Sequence, residues 1–291
     1  IAKLLVGKLS SRLGQASGTG AVRVLQCISL LCDADGAVQV AIAKAGGVSP
    51  LIAWLSGSPL AASVERGDRR ESSDSWHDAR REAAHALLSV AANNAANQAA
   101  IVKCDGIAPL IDLVSRGAAE SQEYAARTLW HLAATSESIA AISAVGGLTP
   151  LVAMLSLADR RQQELAAVVI SRLTQSHASE IAEAGAIAAL VGLTTKGTRA
   201  AQQHAASALA DIAAHPGPHR DEVAVDAGGI PPLVALLRSA VPGTPEMAAR
   251  ALAHLARDHE ACGDDGGALP TKERGDQSAR DLGDDGAKSA P

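Results

Sequence analysis

Phenylalanine is absent from this sequence, and the other aromatics are scarce: one tyrosine (Tyr124) and three tryptophans (Trp54, Trp76, Trp130) among 291 residues, of which 47% are hydrophobic. A core without phenylalanine is filled by alanine, leucine, isoleucine and valine. That suits closely packed helices better than β-sandwiches, where aromatics are enriched. Also missing is an excess of basic charge. The net charge is −5, so the electrostatic footprint of a general nucleic-acid binder is not there. The four cysteines, Cys27, Cys32, Cys104 and Cys262, make no C-x-x-C pair or regular framework. They are expected to be buried free thiols in a reducing compartment, the cytoplasm or nucleus. No apolar run reaches the roughly 20 residues that span a bilayer.

What the sequence does have is a repeat. Gly46-Gly47-Val48-Ser49-Pro50-Leu51 returns as Asp105-Gly106-Ile107-Ala108-Pro109-Leu110, then as Gly146-Gly147-Leu148-Thr149-Pro150-Leu151. Gly185-Ala186-Ile187-Ala188-Ala189-Leu190 and Gly228-Gly229-Ile230-Pro231-Pro232-Leu233 follow. The closing leucines are 59, 41, 39 and 43 residues apart. Three spacings fall in the ~40–47 range of two- and three-helix repeats, and the fourth marks an insertion of about 18 residues.

Each segment joins two helices. A short apolar helix such as Ala41-Ile42-Ala43-Lys44 is stopped by glycine, which takes the left-handed conformation without strain. Proline follows in the first turn of a second helix, where its fixed φ and missing N–H are tolerated. A third helix carries the frame Ala83-Ala84-x-x-Leu87-x-x-Val90, repeated at 125–132, 166–173, 205–212 and 248–255, with a weaker copy at 24–31. These placements make one apolar face, with alanine where helices approach most closely. Thr244 reads as the N-cap of the last third helix, with Pro245 at its first position.

A short helix, a glycine stop and two longer helices every ~41 residues resembles the armadillo (β-catenin-like) repeat. HEAT repeats, the other architecture weighed, lack the short first helix with its Gly–Gly stop. The resemblance implies an all-α fold: a right-handed α-solenoid of about six armadillo repeats over residues 1–259. They divide roughly as 1–36, 37–97 (with the insertion at 57–80), 98–137, 138–177, 178–219 and 220–259. Ile1–Val6 reads as a second helix already in progress, which leads us to expect further repeats or another domain upstream. The insertion is rich in charge, serine and glycine and reads as a mobile loop, with Trp76 either anchoring a partner or folding back on its own repeat. Residues 260–291, acidic and rich in Gly and Asp, hold almost nothing to bury and read as a disordered tail.

No nucleophile elbow, phosphate-cradling loop or H-E-x-x-H pair occurs, and the glycine doublets recur with the repeat, which makes them helix stops. His215-Pro216-Gly217-Pro218-His219 reads as a turn without a third metal ligand. Neither an enzyme nor a cofactor or metal is expected. The resemblance implies instead a concave groove lined by third helices that binds an extended protein segment. Two exposed positions per third helix would line it: the residue after the alanine pair and the one four later. Here these are Gln26 and Leu30, His85 and Ser89, Arg127 and His131, Val168 and Arg172, Ser207 and Asp211, and Arg250 and His254. In peptide-binding members the two positions are often Trp and Asn, and neither appears, which argues against nuclear-import cargo binding. The polar members make the groove locally basic, so an acidic or phosphorylated protein or peptide partner is expected, with no small-molecule substrate. Glu123–Arg127 and Glu246–Arg250 are also spaced as i, i+4 pairs that would serve the helix alone. A second reading makes the array the substrate-recognition region of a ubiquitin ligase whose catalytic domain lies upstream.

Overall fold

The computed structural model describes residues 8, 12–13, 18–57 and 73–261. The chain divides into two compact units, Ile1–Ala256 and Arg257–Pro291. Of the second, only the backbone to Ala261 and the Arg257 side chain are described. The expected start inside a second helix at Ile1–Val6 and most of the acidic tail therefore lie outside the described residues, as does Cys262.

The described part of the first unit is helical throughout, in a three-step rhythm. The third helix of the first copy is α1 (Gly18–Ala34). The second copy is α2 (Gly36–Lys44), α3 (Val48–Ser56) and α4 (Ser73–Ala91), and the third is α5 (Ala95–Lys103), α6 (Ile107–Arg116) and α7 (Ala119–Leu132). Then come α8 (Ser136–Ala144), α9 (Leu148–Met154) and α10 (Arg160–Glu183). Helix α10 bends at His177, so its end serves as the short first helix of the fifth copy. That copy continues as α11 (Ala186–Lys196) and α12 (Arg199–Ala214). The last is α13 (Pro218–Asp221) with a π-turn (Glu222–Asp226), α14 (Ile230–Leu236) and α15 (Thr244–Ala261). Third helices pack on third helices in succession: α1 on α4, α4 on α7, α7 on α10 and α10 on α12. Among the described residues no single helix is long and apolar enough to cross a membrane.

The repeat chemistry explains the joints. Short helices begin under side-chain caps: Asp35 accepts from the N–H of Ala37, Asn94 from that of Asn97 and Thr135 from that of Ser138. They end where Gly46, Gly146 and Gly228 take φ of 74°, 72° and 62°. Asp105 does the same at 57°, as a short polar side chain can. The next glycine has ordinary φ but no room. A Cβ on Gly147 would stand 2.7 Å from Ile111 Cδ1 of the preceding repeat and 2.8 Å from the Ile142 carbonyl oxygen. Both alanines of the frame are fully buried in copies two to five, where helix meets helix. Polar bonds stitch the joints: buried Asn97 donates to the carbonyls of Val90 and Gln39, and buried Arg220 donates through Nε to that of Ala213.

Three readings are corrected here, and the alternative left open at Trp76 is decided. The helical part of the insertion is larger than expected, because α4 already runs from Ser73; the loop reading concerns only 58–72, outside the described residues. Trp76 lies on that helix with its ring 5.5 Å from that of Trp54, so it folds back on its own repeat. Trp54 is held in turn by donating to the Leu13 carbonyl. Thr244 does not cap: it is the first helical residue, its hydroxyl buried without a hydrogen bond, and Gly243 precedes it at φ 83°. Of the described cysteines only Cys32 is buried, its thiol pushed up to about 12 by burial and by Asp33, whereas Cys27 and Cys104 are exposed.

Gly147→Val is therefore expected to destabilise the array by about 1–3 kcal/mol, as overpacking does. Gly36→Ala, whose Cβ would meet nothing within 4 Å, should stay within about 1 kcal/mol of the parent. Urea unfolding followed by circular dichroism separates the two; equal midpoints would contradict the stacking role assigned to Gly147.

Candidate functional site

The first turns and middles of the third helices are tied together by cross-repeat bonds. Gln162 on α10 donates to the Gln122 side chain on α7 (2.6 Å), and the Thr198 hydroxyl before α12 donates to Glu164 on α10 (2.5 Å). Arg161 reaches back to Glu123 at 2.6 Å. Successive helices are thereby held in a fixed register, and their exposed residues form one continuous surface.

At its centre stands Trp130. Arg172, from the next third helix, lies over the indole with its guanidinium carbon 5.3 Å from the ring centroid, and His131 meets the same ring edge-on at 4.7 Å. Such a cation over an indole is attracted by the ring quadrupole. Trp130 also separates two hollows. One, about 190 Å³, is apolar and bounded by Ala126, Arg127, Leu165, Val168 and Val169. The other, about 320 Å³, is polar, with Ser171, Arg172, Gln175, Gln203, His204 and Ser207 among its walls. The electrostatics agree with the geometry: the His131 imidazole is lowered from its ordinary range by burial, and further by the charges of Arg127 and Arg172. His204, bonded to Ser171 Oγ at 3.1 Å, is lowered by burial.

The residues expected to line the groove fare unequally. Gln26 and Leu30 are exposed on α1, Arg127 is exposed on α7, and His131, Arg172 and Ser207 are half-buried around the two hollows. His85 is half-buried with its ring stacked on Tyr124 at 4.7 Å. Ser89, expected on the surface, is buried at 3% exposure, because α4 is wedged between α1 and α7 and that turn faces inward. Asp211 accepts from the Thr174 hydroxyl and pairs with Arg250 at 2.8 Å. Its carboxyl is raised by burial, which outweighs the opposing effect of the Thr174 hydrogen bond and of Arg250. His254 sits close enough to act on the same carboxylate.

Two expectations about charge are thus corrected. Arg250 pairs across the repeat with Asp211, not with Glu246 four residues away, while the Glu123–Arg127 pair forms at 3.6 Å. Positive charge is not spread along the surface. Arg172 stands over Trp130 and Arg127 is shared with Glu123, His131 is held towards its neutral form, and Asp211 offsets Arg250 further on. Sequence reasoning missed Trp130, Gln175 and Gln203 as wall residues. The available signal was helical spacing: Trp130 follows Arg127 by three and Gln175 follows Arg172 by three, so each shares its face.

Two stretches of the chain, 94–134 and 218–257, match the armadillo/beta-catenin-like repeat. Solved structures agree. An engineered protein solved by the Northeast Structural Genomics Consortium is 29% identical, with 87% of this chain and 96% of that one covered at a TM-score of 0.73. A designed armadillo repeat protein superposes at a TM-score of 0.74 with 22% identity, over 86% of this chain and 99% of the other. Another, in complex with the peptide (KR)4, gives 0.72 at 21% identity, over 86% and 99%. No curated protein matches the sequence. The chain is an all-α armadillo-repeat solenoid, a fold that typically serves as a binding scaffold.

Because the folded state disfavours imidazolium at His131 and His204, their neutral forms contribute stability that is present above the ordinary imidazole pKa near 6.5 and lost as pH falls through the lowered values. Stability should accordingly fall on acidification below pH 6.5, and less steeply in His131→Gln. Denaturation midpoints at pH 7.5 and 5.0 measure this; equal pH dependence in the two proteins would refute it.

Proposed function

We propose that this chain is a non-catalytic interaction scaffold whose third-helix groove binds an extended acidic or phosphorylated segment of a partner protein. The observation that carries the reading is the patch around Trp130, where Arg127, Arg172 and His131 converge between two hollows. A guanidinium already seated on an indole loses little freedom on binding, and its remaining N–H donors fit carboxylate or phosphate oxygens. The half-buried setting weakens solvent screening of that pair. Indole and aliphatic walls beside it take the apolar parts of the same segment. Groove amides at Gln175 and Gln203 offer both donor and acceptor to an extended backbone, the task for which the resemblance expects asparagines.

A nuclear-import reading fits less well: basic cargo would meet Arg127 and Arg172 as like charges, which disfavours association. The designed relative that holds (KR)4 shares the fold at 21% identity, and the Trp130 patch of the present chain has the opposite preference.

Fluorescence anisotropy with an Asp/Glu-rich peptide, its phosphoserine counterpart and a Lys/Arg-rich peptide tests this. The wild type should prefer the first two. Arg127→Glu with Arg172→Glu should weaken their binding at least about tenfold, the loss of about 1.4 kcal/mol expected from one charge-assisted hydrogen bond. Unchanged affinity in a variant with the parent's circular dichroism, or a preference for the basic peptide, would overturn the proposal.

A further inference from the structure

The second helices carry an apolar stripe at three positions that recur in every complete copy. The first is Val48, Ile107, Leu148, Ile187 and Ile230; the second Ile52, Ile111, Val152, Val191 and Val234; the third Leu55, Val114, Leu155, Thr194 and Leu237. In the four earlier copies all of these side chains are no more than 8% exposed, because the following repeat sits on them. In the last copy Ile230, Val234 and Leu237 are 42%, 49% and 41% exposed. The third helix agrees: Ala84, Ala126, Ala167 and Ala206 are fully buried, whereas their counterpart Ala249 is exposed. The array thus presents its internal stacking surface, open, at α14 and α15.

We infer that this face joins a second copy of the same chain, face to face about a two-fold axis near Val234. Spacing of i, i+4, i+7 puts the three aliphatics on one side of α14 with Val234 in the middle, so the stripe is complementary to itself when two helices cross antiparallel. Charge points the same way. Exposed Asp221 and Asp226 precede α14, and exposed Arg238 follows it. An antiparallel partner therefore brings the acidic lead-in of one copy to the basic exit of the other, whereas a parallel one would set like charges together. Side chains at these positions, Thr194 being the one polar member, are packed by the following repeat in the four earlier copies.

Sedimentation velocity from about 1 to 100 µM tests this on the full chain, a concentration range that brackets micromolar association. The mass should rise with concentration from 29.4 kDa towards twice that value. Val234→Asp, at an exposed position that leaves the fold intact by circular dichroism, should be monomeric throughout. Arg238→Asp and Asp226→Arg should each weaken the dimer at least about fivefold, and the two together should restore it within about twofold, as complementary rim charges require. A wild type that stays monomeric, a dimer indifferent to Val234→Asp, or a double reversal that fails to restore association would each overturn the proposal. So would a monomer whose stripe instead takes an added peptide of residues 135–157, the chain's own α8–α9 edge, because the occupant would then be a repeat edge rather than a second copy.

Discussion

The stacking of this molecule depends on a close backbone approach at the entry to each second helix, where four copies hold glycine and the fifth holds the small, fully buried Ala186. At Gly106, Gly147 and Gly229 the entry to a second helix comes so near the preceding repeat that a Cβ would lie within 2.5–3.3 Å of its aliphatic side chains or of neighbouring backbone. That approach lets Ile52, Ile111 and Val191 be covered by the next copy, and no copy buries its own stripe. Stability is thus shared between neighbours, as in a one-dimensional array. The register of the third helices follows from the same contact.

The scarcity of aromatic residues acquires a positive meaning in this light. A core of paired alanines and branched aliphatics brings third helices close enough for cross-repeat bonds such as Gln162–Gln122 and Arg161–Glu123. The few aromatics are then spent at particular places. Trp54 and Trp76 pack on each other beside the insertion, and Tyr124 stacks on His85. Trp130 alone among the tryptophans borders the two groove hollows, with Arg172 above it.

The third-helix surface is accordingly patterned rather than uniform. Its middle is basic and aromatic, and its later part is neutralised because Asp211, bonded to Thr174, sits between α10 and α15 and holds Arg250.

The sequence by itself determined the period, the three helices per copy, the glycine stops and the apolar faces. Each of these depends on neighbours within about ten residues or on recurrence in phase, both visible in one dimension. The resemblance to the armadillo repeat singled out Arg127, His131 and Arg172, which the structure brings together around Trp130. Only the tertiary structure decided which charges remain available. Arg250 had a local partner by spacing in Glu246 but takes Asp211, 39 residues earlier, because the stacking of third helices brings that carboxylate nearer. It decided equally that Ser89 is buried, that Trp130 stands beneath Arg172, and that the last copy's stripe is exposed. These outcomes turn on distances between repeats, set by packing across the stacking contact, and no periodicity along the chain encodes them.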